Sequence, residues 1–146
     1  MKNFVVLALV LVLTLGVNNA QSPDYSNWKT FAKVGYSKSF DEYGEIYVPD
    51  FGEDIKALEG KEISLPGYII PFEGLFRPDQ IIVSSLPIAS CFFCGSGGPE
   101  TVAKAYLNKD IDYTSKLVKV TGTLTLNDSD TNDLMFILKD ARVETL

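Results

Sequence analysis

The chain has 146 residues, with 13 basic and 19 acidic side chains, a formal net charge of −6, two cysteines and no histidine. Without histidine, Ser-His-Asp and Cys-His mechanisms within one chain are excluded, and the commonest metal ligand is missing. Acidic balance with scattered Lys and Arg repels phosphate backbones, so nucleic acid is not an expected partner.

Met1-Lys2-Asn3 is a short positive start, Phe4 to Val17 is apolar apart from Thr14 and Gly16, and Ala20 supplies a small residue before a cut. This is the three-part pattern of a signal peptide, here residues 1–20 cleaved after Ala20, and it predicts a periplasmic or secreted protein. No later segment approaches about 20 apolar residues, so no membrane span is expected after cleavage. Loss of Lys2 leaves 12 basic residues against 19 acidic ones.

Residues 21–57 read as an irregular, partly helical lead-in, with Trp28 to Val34 as a short helix and Ile46-Tyr47-Val48-Pro49 as a short strand. Asp54 to Gly60 reads as a helical turn closing on a glycine cap. Residues 58–146 read as a β-rich core domain. Ile63, Leu65, Gly67 and Ile69 alternate as in a half-buried strand, and Pro66-Gly67 predicts a bend in it. Ile81-Ile82-Val83 predicts a second strand. Pro99 to Leu107 predicts a helix, with proline at its first turn and Glu100 at its positive end. Leu117 to Leu126 alternates again, and Leu134 to Val143 closes the chain as a last strand.

Two of these segments look like copies. At an offset of 55 residues, Ile63, Leu65, Gly67 and Ile69 align with Val118, Val120, Gly122 and Leu124, and Ile81 and Val83 with Phe136 and Leu138. A mid-strand glycine in each copy permits the sharp coiling that a small barrel needs. The expected fold is mainly β (α+β): a barrel of about five strands of the oligonucleotide/oligosaccharide-binding type, with one helix near residues 99–107.

The run from Leu58 to Glu73, Leu-Glu-Gly-Lys-Glu-Ile-Ser-Leu-Pro-Gly-Tyr-Ile-Ile-Pro-Phe-Glu, resembles the signature of a family of short exported bacterial proteins of unknown function. The resemblance covers roughly Leu58 to Val143. In that family the Gly-Tyr-x-x-Pro-x-Glu segment precedes a cysteine-bearing loop, here that of Cys91. The commoner loop has histidine and a proline-rich stretch after the cysteine, whereas this chain carries Cys94 and a glycine run. The resemblance implies envelope localisation and a loose association with metal supply and envelope transport, so an envelope protein or transport system is the implied partner. It supplies no activity.

Cys91 and Cys94, in Ser-Cys-Phe-Phe-Cys-Gly-Ser-Gly-Gly-Pro-Glu, are the main candidates for chemistry. In an oxidising compartment they can close into a disulfide. The loop is short and worth only about 2 kcal/mol of chain entropy, so stability alone is a weak reason to have it. Placement before a helix start would stabilise a thiolate, which points to reactivity. As metal ligands, two thiolates suit Cu(I), while zinc needs two more groups, for which Glu100 and Glu73 are the candidates. Three readings stay open: an exported accessory protein whose cysteine loop holds a soft metal (Cu or Zn) or a labile disulfide, a thiol–disulfide oxidoreductase, or an interaction module with an ordinary disulfide.

Other motifs are weaker. Asn127 to Asp133 imitates a calcium loop but has Asp133 and Lys139 where glycine and glutamate belong, and reads as a solvated hairpin loop. Gly95 to Gly98 lacks the lysine of a phosphate loop. Phe72, Phe76, Phe92 and Phe93 are candidates for a stacking platform, with core packing as the plainer role.

Overall fold

The computed structural model describes residues 22–71 and 77–146. Met1–Ala20, where a leader is expected, and Phe72, Glu73 and Phe76 lie outside the described residues.

The core is a closed five-stranded barrel. Its strands are β3 (Glu62–Ile70), β4 (Gln80–Ser84), β5 (Val102–Leu107), β6 (Val118–Leu126) and β7 (Phe136–Thr145). Around the barrel the order is β3-β4-β5-β7-β6, closing on β3. The β5–β7 seam is parallel and every other pair antiparallel. The expected mainly-β, OB-like barrel is therefore the fold. Alternation explains it directly: Ile63, Leu65, Ile69, Val83, Val118, Val120, Leu124 and Leu138 all bury their side chains in one cluster.

The internal repeat survives in three dimensions. Ile69 pairs with Val83, and their counterparts Leu124 and Leu138 pair with each other. Both mid-strand glycines sit at corners. Residues Glu62–Gly67 of β3 pair with β6, and Tyr68–Ile70 with β4, so Pro66-Gly67 marks the hand-over between partners. A proline is tolerated there because its missing N–H falls beside only one neighbouring strand. At Gly122 the β6–β7 register shifts between Thr121 and Thr123. The extra residue lies on β7, where Asp140 adopts φ 50°, the left-handed conformation of a bulge.

One expectation is corrected. Residues 99–107 are not a helix: Pro99–Thr101 form a single 3-10 turn, and Val102–Leu107 are strand β5. The proline and glutamate start signals serve the short turn equally well. Beyond it, Val-Ala-Lys-Ala-Tyr-Leu fits both helical and strand periods. Pairing with β4 on one side and β7 on the other decides for the strand, with Ala103 and Ala105 buried.

Before the barrel lie α1 (Ser26–Phe31), the hairpin β1 (Gly35–Asp41) and β2 (Gly44–Asp50), and α2 (Glu53–Lys56). Asp24 starts α1 by accepting from the Ser26 backbone and hydroxyl, both at 2.9 Å. Trp28 and Phe31, one turn apart, face inward; the Trp28 indole donates to the Pro66 carbonyl at 2.7 Å. Phe31 stacks on Phe136 with ring centroids 3.8 Å apart. Phe51 and Ile55 join the same core. The hairpin turns at Glu42 and Tyr43, the N–H groups of Tyr43 and Gly44 donate to the Asp41 carboxylate, and Tyr36, Phe40, Tyr43 and Tyr47 are left exposed. Among the described residues, no helix is long and apolar enough to cross a membrane.

Candidate functional site

Between β4 and β5 the chain makes three 3-10 turns in succession, Ile88–Ser90, Phe92–Cys94 and Pro99–Thr101. Cys91 is the extended residue joining the first two, and the Cys94 N–H donates to its carbonyl at 3.0 Å. Gly95 ends the second turn at φ 87°, a conformation that favours glycine. A turn of this tightness brings positions three apart onto one side. The two sulfurs are thus 3.5 Å apart and share a hydrogen bond. Both cysteines are free thiols; Cys91 is fully buried and Cys94 exposed.

The surroundings differ from the helix start expected from the sequence. Strand β5 follows instead of a helix, so no helix dipole favours a thiolate here. The Cys94 thiol is pushed up from its ordinary pKa, first by the hydrogen bond with Cys91, then by burial and by repulsion from a second negative sulfur. The glycine run is a packed turn rather than an open loop. A side chain at Gly97 would meet the Thr101 hydroxyl at 2.8 Å and Leu86 at 3.0 Å. Gly98 lies beneath the Glu100 carboxylate, so the chain's own anion occupies the ground where a phosphate would have to sit.

Glu100 is engaged elsewhere. Its carboxylate lies near the Tyr36 hydroxyl of β1, whose pKa is pushed up to about 12 by partial burial first and then by that neighbouring carboxylate. An ultraviolet titration should show one tyrosine ionising near pH 12, removed in Tyr36→Phe and moved down in Glu100→Gln; identical titrations of wild type and Tyr36→Phe would refute this. Among the described residues, no group of three or more His, Cys, Asp or Glu converges to hold a metal ion. Cys91 and Cys94 are brought together, and Glu73 lies outside the described residues.

Two grooves flank the cysteine turn. The first, about 360 Å³, runs over the outer face of β4 and β5 and is lined by Ile70, Ile82, Phe93, Lys104, Asp133 and Leu134, among others. Within it Lys104 and Asp133 form a half-buried ion pair at 3.1 Å. Burial works against the Lys104 ammonium, but Tyr106 and Asp133 more than offset it and its pKa is raised. The second groove, about 350 Å³, lies between the hairpin's Tyr36 and Tyr47, Phe92 and the Asn127–Met135 loop. That loop is tied to itself, with the Asn127 side chain accepting from the Asp130 N–H at 2.9 Å and donating to the Asp130 carbonyl at 2.8 Å. Phe92 and Phe93, edge to face at 5.1 Å, line one groove each. The grooves escape a reading of the sequence because residues from three or more distant segments build them; the sequence singles out only Phe92 and Phe93, as stacking candidates, and the Asn127–Asp133 run, as a solvated loop. Compared with protein-family models, curated proteins and solved structures, the chain matches none.

Proposed function

We propose that this is an exported accessory protein of the cell envelope whose Cys91–Cys94 turn holds a labile, exchangeable disulfide. One observation carries the reading: two thiols at 3.5 Å, one exposed and one buried, in a turn of four residues. Reaching a bond of about 2.05 Å asks only for a small approach of the sulfurs. Export rests on the leader pattern of Met1–Ala20 and on the family resemblance of Leu58–Glu73.

The exposure difference orders the exchange. An external thiolate attacks Sγ of Cys94, the Cys91–Cys94 bond breaks, and its electron pair leaves on Cys91, which takes a proton. A second external thiol attacks the mixed disulfide and releases Cys94, for a total of two electrons and two protons. In the dithiol, the hydrogen bond with Cys91 raises the pKa of Cys94 and so disfavours its thiolate. This favours a slowly cycling disulfide over a thioredoxin-like catalyst.

A second reading has its own support in the same spacing. Two sulfurs this close suit a soft two-coordinate ion such as Cu(I), which would displace both protons on binding. Zinc needs further ligands, and among the described residues no third His, Cys, Asp or Glu converges on the pair.

Intact mass and metal content of protein secreted into an oxidising compartment separate the readings. The disulfide reading expects a mass lower by two hydrogens, no stoichiometric metal, and opening in glutathione buffers at potentials less negative than about −300 mV. After reduction, native alkylation should label Cys94 and spare Cys91, and Cys94→Ser should abolish it. Free thiols with stoichiometric copper would replace the disulfide reading with the metal one. Thiols that stay free and metal-free under oxidising buffers would defeat both.

A further inference from the structure

We infer that the partner exchanging with this turn is a polypeptide whose cysteine is flanked by a large apolar side chain and a basic one; the inference rests on the disulfide reading above. Phe93, the residue before the exposed Cys94, is 42% exposed and forms one wall of the 360 Å³ groove. Ile70, Ile82 and Leu134 complete an apolar lining on the outside of the barrel, where a strand face turned to water would ordinarily carry polar residues. A concave, mostly apolar groove with one ion pair at its side suits a single large apolar side chain.

Charge selects the other flank. Lys104 is already paired with Asp133, so it offers no free cation to a ligand anion. The neighbouring groove is lined by the exposed Asp128 and Asp130, and the whole chain carries −6. Thr131, Asp133 and Leu134 line both grooves, so a segment lying along them passes from apolar to acidic surroundings beside the cysteine turn. A basic residue is attracted there. Glutathione, with two carboxylates and one ammonium, has neither feature and is disfavoured.

The exchange is the one already balanced: the peptide thiolate attacks Sγ of Cys94, and Cys91 leaves with the electron pair and is protonated. The test uses the oxidised full-length secreted protein and four thiols: a cysteine peptide flanked by Leu and Lys, the same peptide with Leu→Ser, the same with Lys→Glu, and glutathione. Rates are expressed per thiolate, after measuring each thiol's pKa. The Leu/Lys peptide should outpace the Ser peptide by about ten-fold. It should outpace the Glu peptide by a factor that shrinks as salt screens the acidic groove. In Ile82→Thr, and independently in Leu134→Ser, the ratio of Leu to Ser peptide rates should fall to within about two-fold. Equal rates for all peptides on the wild type, or a preference that survives both substitutions, would overturn the inference while leaving the exchangeable disulfide intact. If neither glutathione nor any peptide opens the Cys91–Cys94 bond, the disulfide reading falls and takes this inference with it.

Discussion

Replacing Gly67 with alanine is expected to cost about 3 kcal/mol or more and to leave little folded protein at physiological temperature. An added Cβ would lie 2.2 Å from the Ser84 carbonyl oxygen and 2.9 Å from both its carbon and Val83 Cγ2. Two of these three atoms are backbone, held where Tyr68 pairs with Ser84, so relief requires moving β4 away from β3. The other corner is gentler. A Cβ at Gly122 meets the Lys139 carbonyl oxygen and Ala141 Cβ, each at 2.9 Å, beside a bulge that can give way. Gly122→Ala should therefore cost about 1–3 kcal/mol, and adding Ala141→Gly should recover part of it. Urea denaturation followed by circular dichroism measures both. A Gly67→Ala protein within about 0.5 kcal/mol of wild type would show that the corner is not built on this close approach.

The second large effect is expected at Phe31. It is fully buried and stacks on Phe136 with planes 8° apart, while Trp28 meets its edge at 5.6 Å. Phe31→Ala should destabilise the whole protein by about 3–5 kcal/mol, in a single transition shared by helix and barrel. Phe136→Ala should cost a similar amount, and the double variant less than the sum, with a coupling of about 0.5–1.5 kcal/mol from the ring pair. A Phe31→Ala protein whose barrel melts unchanged would mean that α1 only decorates the domain.

What a sequence discloses here follows from where burial falls. β3, β4, β6 and β7 each set an apolar row against the core, so their period of two is plain and the copies at Ile69 and Leu124 can be aligned without coordinates. β5 hides because Ala103, Lys104, Ala105 and Leu107 are good helix formers behind a proline–glutamate start, and its buried row includes only small alanines after Val102. Of the hairpin, β2 is legible at Ile46–Pro49, whereas β1 hides for the opposite reason: with nearly all of its residues exposed, no buried row writes a pattern into it. At the site, the spacing of Cys91 and Cys94 announces their closeness. That one is buried and the other exposed depends on how the turn packs against the barrel, which no local pattern encodes.

The order of strands around the barrel also sets a sequence of events in folding. β6 and β7 are adjacent in the chain and form their pairing across a short loop, whereas Leu65 must find Val120, and Ala105 must find Leu138 across the parallel seam. Such distant pairings pay loop closure before any contact rewards it, so barrel closure is expected to be the slow step. Cys91 is buried only in the folded protein. In the unfolded chain the two thiols are equally open to oxidants, and the asymmetry between them is acquired with the fold.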